Sequence, residues 1–531
     1  MNSESLTHCD LVGDGLTLNT VALNESILNL SRAGGGTIRV RPGRYLTGTI
    51  FLQSNVTLFL ENGAVILGSK NPLDYPRIDP PVPSRSLFEG REFCVHCLIY
   101  ARGLHDIAIL GEGTIDAQVD NPTLPTPEYR STAIRPYGMV FMECRRIKVR
   151  NITLKNTSNW SQDYLNCDGV LVDGITVENR KVEYNNDGID IDGSRNVRIA
   201  NCNFNVGDDG ICLKAAYTSC ENITIHNCII SPLCNGIKFG TASRGNFMNI
   251  AVSNCSIYRT GVAGIALEMV DGGILDGVTI TNISMSDVGA PIFIRLGNRG
   301  KKWIESQTDA PHGILRNVII ANVTASLAES NLALASSITG LPGHPVENIT
   351  ISNLIIRISR QPRQVLCDPF QLRLQDSARI AFQEDFGKKI TVSEVPEKPG
   401  DYPEYSMFGP LPAFGLFCRH AKQIVFSNCR VESEVTDYRS AFVFHDVDRL
   451  SIDGLFASSL PQSNPVLLLV DVTHALLSRC VAAEGTPTYL RLEGRCKWIS
   501  LSLSDLSPAR MPLSSERALE DQEFRLDGSV Q

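Results

Sequence analysis

The sequence predicts an all-β fold, a single-stranded parallel β-helix, on three observations. Short segments of one pattern recur along the chain, their apolar residues fall at alternate positions, and most of them end on asparagine. The segments are NITLKNT from Asn151, NVRIANC from Asn196, NITIHNC from Asn222, NIAVSNC from Asn249, GVTITNI from Gly277, NVIIANV from Asn317, NITISNL from Asn348 and QIVFSNC from Gln423. Alternation of apolar and polar residues is the period of a half-buried strand. The asparagines at the fixed slot are Asn156, Asn201, Asn227, Asn254, Asn282, Asn322, Asn353 and Asn428. From Asn201 to Asn282 the successive differences are 26, 27 and 28 residues, too short for a domain and right for one coil of a solenoid. VLVDGIT from Val170 and RLSIDGLF from Arg449 fit the same pattern with Gly174 and Gly454 in the asparagine slot.

One coil cannot bury its own apolar face, whereas coils stacked about 4.8 Å apart can. Asparagine suits the repeated bend because it tolerates left-handed backbone angles and can hydrogen-bond the asparagine above it. Cys202, Cys228, Cys255 and Cys429 each follow that asparagine, which reads as a ladder of small apolar thiols in the core rather than as disulfides. The pattern leaves the handedness of the coil open. Frequent N-x-[ST] triplets such as Asn222-Ile223-Thr224 arise from the same repetition and are not read as glycosylation sites.

The ends and insertions follow from where the period fails. Residues 1–70 read as an N-terminal cap and the first coils, with a helix at Thr20–Arg32 closing the core and short strands with glycine turns over 33–69. Residues 71–504 read as the β-helix itself. Residues 361–415 break the period and read as a long loop over one face. Its Tyr402, Tyr405, Phe408 and Phe414 either form a wall for stacking sugars or pack onto the coil. Residues 505–531 are polar and read as a loose tail.

The totals exclude several classes. A net charge of −8 argues against nucleic acid, whose phosphates attract basic surfaces. No run of 18 apolar residues exists to span a membrane. The start, MNSESLTHCDLVGDG, lacks a basic segment followed by an apolar one, so a cytoplasmic chain is expected, or a secreted or periplasmic one whose signal has been removed. Sixteen cysteines in such a chain are expected as free thiols. Cys94 and Cys97 form a lone C-x-x-C with no second pair to suggest metal or redox chemistry.

The densest chemistry lies in NNDGIDIDGSRNVRIANCNFNVGDDGICLK, residues 185–214, which holds Asp187, Asp190, Asp192, Asp208 and Asp209. Asp187 and Asp208 are 21 positions apart, about one coil, so they are expected on neighbouring rungs. Clustered carboxylates repel, which raises the pKa of at least one. That supplies the pair acid–base glycoside cleavage needs, one acid kept protonated and one base ionised. Aspartates at such bends also cap turns or bind Ca²⁺. Asp190 and Asp192 alternate with Ile189 and Ile191 and are assigned a structural role.

At these motifs the chain resembles glycoside hydrolase family 28, the polygalacturonase and rhamnogalacturonan hydrolase group. The likeness covers most of residues 10–300. It includes GGGTIRVRPGRYLTGTIFLQSNVTLFLENGAVILGS, ILGEGTIDA at 109–117 and RPYGMVFMECRRIKVRNITLKNTSNWS at 135–161. The family's N-T-D appears as Asn185-Asn186-Asp187 and its G-D-D as Gly207-Asp208-Asp209. The resemblance implies a right-handed, pectin lyase-like solenoid and an inverting hydrolase that needs no metal or cofactor. Asp208 would be the general acid, and Asp187 and Asp209 would hold and activate the water. The expected partner is a pectic oligo- or polysaccharide, with the oligomeric state left open.

Two departures bear on the substrate. The family's G-H-G aligns with Cys234-Asn235-Gly236, so its histidine is Asn235. Its R-I-K aligns with Ala266-Leu267-Glu268. A uronate close to Glu268 would be repelled by on the order of 1–4 kcal/mol, so a rhamnogalacturonan-type chain, with a neutral sugar there, is expected over plain polygalacturonan. Asn235, Glu268, Lys214, Lys238, Arg295 and Arg299 are the candidate substrate-binding residues. The arginine pair either clamps a carboxylate or pins its own loop. A carbohydrate-binding β-helix without turnover and a polysaccharide lyase are the competing readings.

Overall fold

The structure is a computed structural model that describes residues 6–7, 11–79, 95–118, 135–179, 185–304, 306–328, 335–359, 390–434, 437–458, 464–519 and 523–527. The chain divides into two compact units, Met1–Cys255 with Lys301–Asp309, and Ser256–Gly300 with Ala310–Gln531.

In the first unit each coil gives one strand to each of three columns. The first column stacks Cys97–Arg102, Tyr137–Met142, Gln162–Leu165, Ile189–Asp192, Ile211–Ala215 and Ile237–Ser243, each parallel to the next. The second stacks His105–Gly111, Arg145–Arg150, Asp168–Asp173, Arg195–Ala200 and Cys220–His226. The third stacks Thr114–Asp116, Thr153–Lys155, Thr176–Asn179, Asn203–Val206 and Ile229–Pro232. This is the parallel β-helix that the sequence pattern predicts. The second unit repeats the arrangement, for example in the parallel pairs of Ala263–Met269 with Ala290–Leu296 and of Ala413–Ser433 with Ser440–Ala457.

Register explains what each strand presents. In the first column Phe141, Tyr164, Ile191, Leu213 and Phe239 stand opposite one another and are fully buried. The Phe141 and Tyr164 rings stack with centroids 5.0 Å apart. Successive side chains point to opposite faces, so the intervening ladder Val140, Asp163, Asp190, Cys212 and Lys238 lies on the outer face of the same column. The acidic residues are therefore outward members of a strand whose inward members build the core.

The bends behave as the asparagine pattern requires. Asn156, Asn201, Asn227, Asn254, Asn282, Asn322, Asn353 and Asn428 all have φ between 51° and 57°. Within the second unit Asn322 Nδ2 donates to Asn282 Oδ1 at 2.9 Å, Asn353 to Asn322 at 2.7 Å and Asn428 to Asn353 at 2.8 Å. A second ladder runs through the asparagine that opens each segment, as in Asn249 to Asn222 at 2.7 Å. Gly174 occupies the slot with φ 69°, where an added Cβ would stand 2.5 Å from Asn151 Oδ1. The cysteines of the ladder are buried free thiols, and Cys202 Sγ donates to the Ala200 carbonyl at 3.0 Å.

The helix forms at Thr20–Arg32, where Leu23, Ile27 and Leu30 recur at helical spacing and are buried. One open alternative is decided and one expectation is corrected. Tyr405, Phe408 and Phe414 are buried, and Phe414 already belongs to the strand Ala413–Ser433, so these three rings pack onto the coil instead of lining a sugar wall. Only Tyr402 is exposed; residues 360–389 of the insertion, like Cys94 of the C-x-x-C, lie outside the described residues. The polar end is no loose tail where it is described. Met511–Ser515 and Phe524–Asp527 pair parallel with Thr488–Glu493 and Lys497–Ser502, because main-chain pairing extends a solenoid without an apolar run.

Candidate active site

Asp187 and the Asp208–Asp209 pair lie just before adjacent strands of the first column, Ile189–Asp192 and Ile211–Ala215, whose first residues stand opposite each other. The Gly188 N–H donates to the Asp209 carbonyl at 2.9 Å. The Asn185 N–H donates to Asp208 Oδ2 at 2.6 Å, from a residue held at φ 61°. Between them Asn186 ties the two coils together. Its Nδ2 donates to the Asn179 carbonyl and its Oδ1 accepts from the Gly207 N–H, both at 2.8 Å. The three aspartates thus converge on one end of two neighbouring coils, and a buried amide fixes the loops that carry them.

Their environments differ. Asp208 is half-buried, and its carboxyl is pushed up to about 6, first by burial and then by the charge of Asp209. Asp209 is buried, which alone would raise it, but Lys238, Lys214 and the two Asn235 donors outweigh that and hold it below the usual carboxylate range. Lys238 Nζ stands 3.1 Å from Asp209 Oδ2. Asp187 is raised well above its ordinary value by burial and by Asp190 and Asp208, opposed by Lys214. One carboxyl therefore holds its proton to higher pH than an ordinary aspartate, beside another that ionises more readily than one, which is the kind of division acid–base catalysis uses.

The expected binding residues of this unit face the aspartates. Asn235 gives its N–H and Nδ2 to Asp209 Oδ1 at 3.0 and 2.8 Å. Lys214 Nζ lies 2.9 Å from Asp190 Oδ1 and 3.9 Å from Asp187 Oδ2. Oxygen and sulfur atoms of Asp187, Asp190 and Cys212 lie within 4.8 Å of one another, as do those of Asp208, Asp209 and Cys234. Lysine ammonium groups already serve both sets, Lys214 at 3.0 Å from Cys212 Sγ and Lys238 at Asp209, so neither set fits a metal ion. A cavity of about 670 Å³ bordered by Glu143, Arg145, Asp168, Arg195 and Glu221 is lined by none of these aspartates.

The other three expected binding residues belong to the second unit. Glu268 is wholly buried opposite Arg295. Arg295, also wholly buried, donates to the carbonyls of Gly340, Glu397 and Lys398 at 3.1, 2.8 and 3.2 Å. Arg299 makes a bidentate pair with Asp271 at 2.9 and 2.6 Å. Of the two alternatives for this arginine pair, the structure selects the pin. Arg295 is a correction to the binding set, because its two Nη groups are engaged by the chain's own carbonyls.

Sequence reasoning assigned Asp190 a structural role and passed over Asp163 and Trp160. Asp190 is an outer-face residue in contact with Lys214, and Asp163 stands opposite it on the coil before. The face of Trp160 covers Lys214 Nζ at 4.6 Å from the ring centroid. Strand parity places Asp190 on the outer face but does not give its partner Lys214, and nothing in the local pattern marks Trp160.

Comparison with known proteins agrees with this geometry. The family model "Glycosyl hydrolases family 28" matches residues 92–373, just over half of the 531. The chain is 27% identical to a probable polygalacturonase of Vitis vinifera over 382 residues, covering 68% of this chain and 76% of the relative. It resembles the solved exopolygalacturonase of Thermotoga maritima (TM-score 0.56, 21% identity, 67% of this chain and 88% of that one). It also resembles the family 28 exopolygalacturonase of Yersinia enterocolitica (TM-score 0.55, 16% identity, 89% and 78%). The solenoid is accordingly a right-handed parallel β-helix, and from its coils, its aspartates and the extent of the family match, this chain belongs to glycosyl hydrolases family 28.

Proposed function

We propose that the protein is an inverting hydrolase of pectin-derived, galacturonide-containing chains, with rhamnogalacturonan-type substrates preferred to plain polygalacturonan. The observation that carries this reading is the convergence of three aspartates at the start of two adjacent strands, with Asp209 fastened by Lys238 and Asn235 while Asp208, half-buried, accepts from the Asn185 N–H. Asp208, half-buried and bonded to the Asn185 N–H, gives its proton to the glycosidic oxygen as the bond to the anomeric carbon breaks. Water attacks that carbon from the opposite face and loses its proton to the Asp187–Asp209 side, so the product has inverted configuration. Lys238 and Asn235 keep Asp209 ionised for this work.

Pectic chains are supported by family membership and by the Vitis vinifera relative, a probable polygalacturonase. The rhamnogalacturonan preference rests on Ala266-Leu267-Glu268, where a uronate-binding motif would carry cations. The test is incubation with oligosaccharides of rhamnogalacturonan I, rhamnogalacturonan II and homogalacturonan, read by mass and anomeric NMR. Inverted products chiefly from a rhamnogalacturonan support the proposal. Faster cleavage of homogalacturonan removes the preference, and an ultraviolet-absorbing unsaturated product or no product at all removes the hydrolase.

A further inference from the structure

Outside the three catalytic aspartates, the first unit holds a buried charge cluster that the mechanism above does not use. Asp190 is wholly enclosed on the outer face of Ile189–Asp192, and Lys214 lies on the next coil with 8% of its surface exposed. The ammonium sits 2.9 Å from Asp190 and 3.9 Å from Asp187, with the Trp160 ring over it. Lys238 serves Asp209, and Asp208 has no cation within 4.0 Å among the described residues. Four carboxyls, Asp187, Asp190, Asp208 and Asp209, therefore share two lysines in a space with little water. Separating that much like charge from solvent is costly, so the group must hold protons. Which carboxyl holds them decides whether a base is available.

We infer that Lys214 is the positioning residue that keeps Asp187 available as a base, and that Asp190 competes with Asp187 for it. The inference rests on the hydrolase reading above. The ammonium between the two carboxyls stabilises whichever is ionised, so Asp187 and Asp190 titrate as one coupled pair. The other charged or titratable groups facing them are Asp163 and Asp192 on the outer face, Cys212 beside Lys214, and Asp208, Asp209 and Lys238 at the strand ends. Each is the same in all the variants below.

The two neighbours consequently have opposite signs. Lys214→Met removes the cation and makes Asp187 harder to ionise, so the acidic limb of the kcat/KM profile moves to higher pH. Asp190→Asn keeps the shape, removes a negative neighbour and leaves Lys214 to Asp187 alone, so the limb moves to lower pH. Each displacement is expected to be about one pH unit, a tenfold change in activity on the limb. Lys214→Arg should restore most of the loss. Displacements in the same direction, or none, overturn the inference. The Asp187 carboxyl, followed by ¹³C NMR with selectively labelled aspartate and assigned through Asp187→Asn, reads the same order without turnover. If the unmutated protein cleaves no pectic fragment, the hydrolase reading falls, while the order of NMR midpoints still supports or overturns the inference about the pair. Circular dichroism identifies any variant that has not folded, and the Asp190→Asn arm then decides alone.

Discussion

Asn235 turns two donors, its main-chain N–H and its side-chain amide, onto one oxygen of Asp209, at 3.0 and 2.8 Å. The other oxygen of Asp209 meets Lys238 at 3.1 Å. A carboxylate bound on both sides in this way stays ionised despite burial, since hydrogen bonds and opposite charge favour the charged form. Asn235 is thus a fixed, uncharged anchor for Asp209, and its action does not change with pH.

Replacing Asn235 with alanine tests that anchor. The main-chain donor remains and one charge-assisted hydrogen bond is lost, worth about 1.5–3 kcal/mol. Asp209 then ionises at higher pH than in the unmutated protein. Followed by ¹³C NMR of labelled aspartate, the Asp209 midpoint should move upward by about one unit, while the acidic limb of kcat/KM, set by the more basic Asp187, moves little. A uniform loss at every pH would show that Asn235 acts on the substrate instead.

Asp208→Asn separates catalysis from stability. Loss of the proton donor should lower kcat by about 10²–10⁴-fold, with oligosaccharide binding retained in calorimetry. The stability change has a definite sign. The folded carboxyl titrates at about 6 and an unfolded aspartate at about 3.9, so between these values the native state binds more protons. Stability contributed by the neutral carboxyl is present below pH 4 and is lost as pH rises towards 6. Asparagine never ionises, so the variant should be more stable than the parent at pH 8 by roughly 1–3 kcal/mol and no more stable at pH 4. Urea unfolding midpoints at the two pH values give the comparison.

Asn322 in the second unit measures the asparagine ladder. It donates to Asn282, accepts from Asn353 and has φ 56°. Asn322→Gly removes the side-chain bonds but keeps the backbone relaxed. Asn322→Ala removes the bonds and also places a Cβ in the left-handed region, at about 1–2 kcal/mol. The alanine variant should therefore unfold at lower urea than the glycine variant. Equal midpoints would mean that the bend carries no conformational demand.

How legible these features are in the sequence depends on their range. Asn201, Asn227 and Asn254 announce the coil because one conformational need, φ > 0 at a bend, recurs at a nearly constant interval. Asp187 and Asp208 could be placed on neighbouring coils because their separation of 21 residues is close to one coil. The partner of each carboxylate could not be read, since Lys214 meets Asp190 across coils and also lies under Trp160, which comes from a loop 54 positions earlier in the chain. Arg295 failed for the same reason. Its carbonyl partners at Glu397 and Lys398 lie about a hundred residues away in an aperiodic segment, where no pattern ties sequence to position.

That segment supplies the last prediction. Arg295 holds the carbonyls of Glu397 and Lys398, and Arg419 holds those of Val395 and Pro396 at 2.8 and 2.9 Å. The Phe408 ring lies against both guanidinium groups, at 5.2 and 5.7 Å, and Tyr405 is buried with its hydroxyl on the Gly261 carbonyl. Residues 395–408 are thus fastened by donors that no other side-chain type could supply in that geometry. Arg295→Met removes the donors to three carbonyls and leaves the buried one of Gly340 unsatisfied, at about 1–3 kcal/mol. The strap should open more often, and chymotrypsin should cleave after Tyr405 and Phe408 at least tenfold faster than in the unmutated chain. Arg295→Lys should fall between, since a single ammonium reaches fewer of the carbonyls. Unchanged cleavage in Arg295→Met would show that Arg419 and the two rings hold the strap without it.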